Sequence, residues 1–143
     1  MELTDLTIAE AHKGLKNKEF SSKELTLAYL EKIKKEDSKI DSYLSVTEYL
    51  ALEQAKKSDK IIDSNKDFSM LCGVPCAIKD NILVEGEKAT AASEILANYI
   101  APYDATVITK LKKQEAIILG KTNMDDAAMG ASTETSAFKI TRN

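Results

Sequence analysis

The first third of the chain places apolar residues every three or four positions, the spacing of one buried helix face. Thr7–Glu10 and Ser21–Glu24 each begin with Ser or Thr and end with Glu, which matches the capping box that opens helices. These boxes predict a helix to about Lys16 and a longer helix after the second box. A third helix is expected from a cap at Thr47 to about Ile62.

Three apolar runs predict strands. Ile40–Val46 is a short run, and Val74–Lys79 alternates between two faces. Ala116–Leu119 is apolar without alternation, which is typical of a strand covered on both faces. Helices that lead directly into such strands indicate an α/β sheet.

Shorter elements are expected between and after these strands. Ser93 is expected to cap one turn through Leu96, and Asp104 is expected to cap a helix over 105–114. Residues 123–130 are predicted to form a short helix that ends at a glycine. The tail that follows is polar.

Length and composition suit one domain or a piece of a larger one. The chain has 143 residues, 43% of them hydrophobic, and a net charge of −3. This mixed charge argues against a dominant nucleic-acid or membrane surface. We expect residues 1–66 to form a helical segment and residues 67–143 to form the start of an α/β core, with a polar loop at 64–67. With neither a signal peptide nor an apolar span in the sequence, we expect a cytoplasmic protein.

The few cysteine and histidine residues argue against a metal centre. The only histidine is His12, and the only cysteines are Cys72 and Cys76. A structural zinc site needs four ligands, so no metal site is expected. The thiols are expected to be free and reduced, because nothing indicates secretion.

Lys79 is the first candidate for chemistry, because it ends an apolar strand. A lysine taken out of water can lose its proton near neutral pH and act as a base. The alternative is that its side chain reaches solvent and has no chemical role. The other suggestive lysine lies in Gly120–Thr122, which invites comparison with a phosphate-binding loop. That motif needs a further glycine where Glu115 stands, so we reject a nucleotide site.

Together, these segments resemble the amidase signature family. The residues that carry the resemblance are Gly73–Ile82, Pro102–Val107, Gly120–Asp125, Met129–Glu134 and Ser136–Asn143. The later segments are most similar to the amidotransferase branch of the family. The resemblance implies an amidase-signature fold, a mixed β-sheet covered by helices. It also implies that the chain is the N-terminal portion of a single amidase domain.

The resemblance also implies a Ser–Ser–Lys mechanism. In the family a neutral lysine accepts a proton from a bridging serine, which activates a nucleophilic serine. By this resemblance Lys79 is the catalytic base, and Met129, Gly130 and Ser132 are substrate-binding. Both catalytic serines belong to a later Gly/Ser-rich segment, and Ser132 and Ser136 match other motif positions. We therefore expect the 143-residue chain alone to be inactive.

The amidotransferase branch implies a glutaminase component, which releases ammonia from glutamine so that Glu-tRNA(Gln) is converted to Gln-tRNA(Gln). The implied partners are the B and C subunits of the amidotransferase, with Glu-tRNA(Gln) reached through the B subunit. This chain is expected to bind no cofactor, because ATP and Mg are used by the partner subunit. Two alternatives stay open: a non-catalytic truncated fragment or paralogue, and another amide hydrolase of the same fold.

Overall fold

The structure is a computed structural model that describes residues 2–64 and 67–143. The helices are α1 Ile8–Lys16, α2 Ser22–Ile40, α3 Glu48–Asp63 and α4 Thr106–Lys113, and the strands are β1 Tyr43–Val46, β2 Pro75–Lys79 and β3 Ile117–Thr122. Short 3₁₀ turns occur at Leu3–Asp5, Glu94–Leu96 and Asp126–Ala128. The polar loop predicted at 64–67 includes Asn65 and Lys66, which lie outside the described residues.

The first two helices begin as their sequences predict. The Thr7 hydroxyl accepts the Glu10 N–H at 3.3 Å, and the Glu10 carboxylate accepts the Thr7 N–H at 2.8 Å. Ser21 and Glu24 make the same reciprocal pair at 3.1 and 2.8 Å. Both capping boxes are therefore confirmed, because every atom they need lies within four consecutive residues.

The first strand is shorter than predicted. α2 continues through Ile40, and Asp41 ends it in the left-handed conformation with φ of 60°. Only Tyr43–Val46 forms β1. The expectation of a strand from Ile40 was wrong, because helix α2 propagates to the residue where the left-handed turn stops it.

Three other residues predicted to cap helices make no capping hydrogen bond, so these predictions were wrong. The Thr47 hydroxyl donates to the Ile118 carbonyl oxygen at 3.0 Å instead of capping α3. Ser93 precedes the Glu94–Leu96 turn without a side-chain cap. α4 begins at Thr106, and the Asp104 carboxylate instead accepts the Glu85 N–H at 2.8 Å and pairs with Lys112 at 2.7 Å. The side chains of Thr47 and Asp104 thus bond to tertiary partners rather than to helix ends.

The short helix predicted over 123–130 is also absent as an α-helix. Only Asp126–Ala128 forms a short 3₁₀ turn, and Ala127 within it lies in the left-handed region with φ of 51°. A left-handed residue cannot continue a right-handed helix, so the chain there forms an irregular loop.

The sheet is mixed, with strand order β1–β3–β2. β1 runs antiparallel to the central β3, and β2 runs parallel to it. Between β2 and β3 the register shifts, so that Cys76 lies opposite Ile118 and Ala77 lies opposite Gly120. This extra residue in β3 is a bulge, which changes the face on which the following side chains lie.

Helices cover both faces of β3. On one face, apolar side chains of α2 and α3 pack against it; this cluster consists of Leu30, Ala51, Ala55, Ile117 and Leu119. On the other face α4 and the loop after β2 form a cluster of Ile78, Val84, Ile108 and Ile118. The α/β fold with a helical first part is thus confirmed. No helix in residues 2–64 or 67–143 is long and apolar enough to cross a membrane.

Candidate active site

Lys79 ends β2, and its side chain is exposed. Its neighbour Ile78 is only 5% exposed, because it packs against Ile108 of α4. Ala77, on the same face as Lys79, is exposed as well. β2 is an edge strand of the described sheet, and only one of its faces is covered. Within the described residues, the apolar run therefore does not remove the Lys79 side chain from solvent.

The lysine that the fold does bury is Lys121, in the central strand. Its side chain is 0% exposed, and its Nζ lies 3.4 Å from Oδ1 of Asp80, which is 1% exposed. Lys121 also donates to the backbone carbonyl of Lys88 at 2.7 Å. Burial lowers the pKa of Lys121, and the Asp80 carboxylate opposes that shift. Gly120–Thr122 therefore lies in strand β3 and carries a buried ion pair.

Asp80 directly follows Lys79 and is held on several sides. Its N–H donates to the Thr122 carbonyl at 3.1 Å, which extends the β2–β3 pairing by one residue. Its Oδ2 accepts the Thr90 N–H at 2.9 Å and also accepts the Thr90 hydroxyl. The residue after the candidate base is consequently fixed by backbone, hydroxyl and ammonium groups together.

The loop after β3 is organised by the buried carboxylate of Asp125. Its Oδ2 accepts the N–H groups of Ser132 and Thr133 at 3.0 and 2.9 Å. Its Oδ1 accepts the Thr135 N–H at 3.2 Å and the Thr135 hydroxyl at 2.9 Å. These donors, the Thr133 N–H first, hold the pKa of Asp125 below its usual value.

The predicted substrate-binding residues lie on this loop. Met129 is 80% exposed, and Gly130 and Ser132 are also exposed. Gly130 passes so close to Asp125 that a Cβ atom there would overlap the carboxyl group. Ser132 is tied to Asp125 through its N–H. Ser136 donates its hydroxyl to Asn123 at 2.8 Å, so it also fastens the loop.

Hydrogen bonds connect this loop to the end of β2. Thr90 Oγ1 accepts the Ala92 N–H at 3.1 Å, and the Ala92 carbonyl accepts the Ala137 N–H at 2.9 Å. The Ala91 carbonyl accepts the Ala127 N–H at 3.2 Å. Through Thr90–Ala92, these hydrogen bonds link the end of β2, which carries Lys79, to the loop that carries Met129, Gly130 and Ser132.

Left-handed backbone marks both sides of this connection. Ala91 and Ala92 have φ of 49° and 57°, and Ala127 and Ala128 have φ of 51° and 63°. The conformation costs a residue with a Cβ about 1–2 kcal/mol. Strained residues persist where the surrounding structure fixes them, and they cluster at functional sites.

Neither cysteine is a candidate nucleophile here. Both are free, and burial raises the pKa of the Cys72 thiol and raises that of Cys76 to about 11. Its thiol therefore stays protonated at neutral pH, whereas the thiolate is the reactive form. Across the described ranges, no three His, Cys, Asp or Glu side chains are grouped so that they could hold a metal ion.

Sequence reasoning missed the roles of Lys121, Asp80 and Thr90. A lysine within a continuous apolar strand was a usable signal, because an unpaired buried ammonium is unfavourable. Its partner could not be inferred, because Asp80 lies 41 positions away in the sequence.

A protein-family model described as Amidase matches residues 24–143, so the chain belongs to the amidase family. The A subunit of glutamyl-tRNA(Gln) amidotransferase from Ruminiclostridium cellulolyticum is 54% identical over 143 residues, which is 100% of this chain and 29% of that protein. The chain is thus similar to the N-terminal portion of a longer protein and spans only about three tenths of the curated relatives it matches.

Solved structures agree with this assignment of the fold. The A subunit of glutamyl-tRNA(Gln) amidotransferase from Thermotoga maritima has a TM-score of 0.75 at 36% identity, over 100% of this chain and 28% of that chain. Native peptide amidase from Stenotrophomonas maltophilia has a TM-score of 0.82 at 26% identity, over 91% of this chain and 27% of that chain. The amidase-signature fold inferred from the sequence is confirmed.

Proposed function

We propose that the chain is part of the glutaminase component of a glutamyl-tRNA(Gln) amidotransferase. The observation that carries this proposal is its likeness to the A subunits of such amidotransferases, 54% and 51% identical over all 143 residues. Glutamine is then the substrate, and its side-chain amide carbon is the reacting centre.

In the proposed mechanism Lys79 is the base. Its neutral amine accepts a proton from a bridging serine, which takes one from the nucleophilic serine as that residue attacks the amide carbon. The proton is returned through the bridging serine to the amide nitrogen, so that the C–N bond breaks and ammonia leaves an acyl-enzyme. Water then attacks this ester, and glutamate and the free serine are released. Neither serine belongs to the 143 residues, so this chain supplies one member of the triad.

The mechanism sets a requirement on the exposed face of β2. An amine acts as a base only when it is uncharged, and contact with water favours the ammonium form. A further segment of the protein must therefore cover Lys79 in the active enzyme. Met129, Gly130 and Ser132 are proposed to form one wall of the glutamine pocket, on the loop that Asp125 holds.

The ammonia requires an acceptor, which we propose is Glu-tRNA(Gln) held by the B subunit, with the C subunit completing the assembly. ATP and Mg are proposed to act on the B subunit, and this chain is proposed to bind no cofactor.

Substitution of Lys79 tests the proposal in a complete version of the protein, meaning one that carries both serines in addition to this chain. We expect Lys79→Ala to lower kcat for glutamine by roughly 10⁴-fold or more, as loss of a triad member does. Lys110→Ala, an exposed lysine on α4, is the matched control and should stay within about twofold of the parent. Release of glutamate measures both, and a near-parental rate for Lys79→Ala would refute the base assignment.

The choice of substrate needs a separate assay. The complete version should hydrolyse glutamine faster when the B subunit and Glu-tRNA(Gln) are present. Efficient hydrolysis of unrelated peptide or aryl amides, with no response to these partners, would favour another amide hydrolase. Inactivity of an otherwise folded complete version on every amide would favour a non-catalytic paralogue.

A further inference from the structure

We infer that Lys121 is a positioning residue for the candidate base, because its buried pairing with Asp80 fixes the end of β2 and thereby the direction of Lys79. The inference rests on the proposed role of Lys79. Lys121 itself touches no reacting atom, and it acts through Asp80, the residue that follows Lys79.

The contacts around Asp80 make this assignment. Lys121 Nζ lies 3.4 Å from both the backbone carbonyl and Oδ1 of Asp80, and 2.7 Å from the Lys88 carbonyl. The ammonium therefore joins the end of β2 to the loop that follows it. Opposite Lys121 on β2 stands Ile78, the residue before Lys79. Ile78 is thus in register with Lys121, and Asp80 is bonded to it, so both neighbours of Lys79 are held by one residue of β3.

Burial of both charges argues for a geometric role. Lys121 and Asp80 are 0% and 1% exposed. Desolvating two ions offsets much of their attraction, so an apolar pair of similar volume is often as stable. A buried pair is better suited to selecting one arrangement, because each charge is tolerated only where it meets its partner.

Thr90 holds Asp80 from the other side, and we call Lys121, Asp80 and Thr90 together the clamp. Its N–H and hydroxyl both donate to Asp80 Oδ2, so the two carboxylate oxygens have separate partners. The same hydroxyl accepts the Ala92 N–H, and Ala92 is bonded to the loop after β3. Rotation of the Asp80 side chain is therefore restrained at both oxygens.

Lys121→Met in the complete version tests the inference. The change removes the charge, keeps a long apolar side chain and leaves Asp80 without its ammonium. We expect kcat for glutamine to fall about 100-fold in the folded enzyme, because a displacement of about 1 Å has that effect on a catalytic group. Lys112→Met is the matched control, since Lys112 pairs with Asp104 outside the clamp and should keep kcat within about twofold.

A double variant separates positioning from mere stability. If Lys121 acts through Lys79, Lys121→Met should not lower the residual rate of a Lys79→Ala enzyme any further. If Lys121 only stabilised the fold, the double variant would have a lower residual rate than Lys79→Ala, in proportion to the fraction of its molecules that are unfolded. In that case Lys121→Met would also have the parental kcat at any temperature where circular dichroism shows it to be fully folded. A folded Lys121→Met enzyme with parental kcat overturns the inference.

Thr90→Val is the second variant if Lys121→Met does not fold. It keeps both charges and removes the two hydroxyl hydrogen bonds, to Asp80 and from the Ala92 N–H, so we expect a roughly tenfold fall in kcat. A parental rate for folded Thr90→Val then overturns the inference.

Amide hydrogen exchange gives a readout that needs no activity. Exchange at residues 79–80 should rise at least about tenfold in Lys121→Met or Thr90→Val, and not in Lys112→Met. If the parent is inactive but this exchange pattern appears, the proposed function fails while the clamp stands. Unchanged exchange overturns the clamp itself.

Discussion

At the scale of single residues, two lysines that follow apolar runs differ in solvent exposure. Lys79 ends the edge strand β2 and is exposed, whereas Lys121 lies in the central strand and is 0% exposed. The difference follows from position in the sheet, because a central strand is flanked on both edges and here covered on both faces. The continuous apolar run before Lys121 predicts a strand covered on both faces, but neither run indicates which strand is central in the sheet.

A residue-scale prediction concerns Asp125. Hydrogen bonds from Thr133 and its neighbours lower its pKa in the folded loop. In an unfolded chain the Asp pKa is about 3.9, so the loop gains stability from ionised Asp125 above that pH. This stability should be lost as pH falls through the lowered folded value. After correction for the slower intrinsic exchange in acid, hydrogen exchange at residues 132–135 of the complete version should therefore increase below about pH 4.

Asp125→Asn should produce the same increase at neutral pH, because an NH₂ group then faces backbone donors. The adjacent Asp126→Asn is the matched control and should leave the exchange unchanged. Equal exchange in Asp125→Asn and the parent would contradict the role of this carboxylate in holding Met129–Ser132.

At the scale of elements, capping depends on whether the partner is local. Ser21 bonds within its own first turn, and it caps α2. Thr47 occupies the equivalent position before α3, yet its hydroxyl donates to the carbonyl of Ile118, 71 residues away. β1 leads directly into α3, so Thr47 lies beside β3 and its side chain bonds to the sheet. Nothing in the sequence near Thr47 predicts this.

Two serine substitutions test this distinction. Ser21→Ala should lower the free energy of unfolding by about 1 kcal/mol, because the capping hydrogen bonds are lost. Ser93→Ala removes a serine from an N-cap position without a cap bond, and it should change the free energy by less than about 0.5 kcal/mol. Urea denaturation of the complete version measures both. Equal losses in the two variants would contradict the cap assignments.

At the scale of the whole molecule, the described residues leave large apolar side chains and one sheet edge exposed. Fourteen large hydrophobic side chains are exposed among the described residues, and Tyr49, Ile95 and Met129 are 82%, 93% and 80% exposed. β2 also lies at a sheet edge, where backbone groups are available for pairing. The relatives are more than three times as long, since this chain covers 29–30% of them. We expect this surface to be buried by the additional residues of such a protein.

Residues 1–143 produced alone should therefore self-associate and release no glutamate from glutamine. Sedimentation should show a mass that rises with concentration, because exposed apolar surface and strand edges promote association. Ile95→Lys should reduce the association. Glu94→Lys is the control, because it introduces the same lysine without removing an apolar side chain. A concentration-independent monomer that unfolds cooperatively would contradict the expectation.

The sequence alone determined the features whose interactions are local. Both capping boxes lie within four residues, and the apolar runs identified β2 and β3 and hence the α/β class. The motif order from Gly73 onward also determined the family. Each depends on neighbours along the chain, where residue types and spacing are enough.

Tertiary structure decided which side chains are buried and what they bond. It exposed Lys79, buried Lys121 against Asp80, and turned Thr47 and Asp104 away from helix ends. It also replaced the predicted helix at 123–130 with a loop held by Asp125. These outcomes depend on partners brought together from distant positions and on strand order, and a bulge in β3 reset the faces. A pattern of apolar and polar residues contains none of that information, because it records spacing along the chain rather than proximity in space.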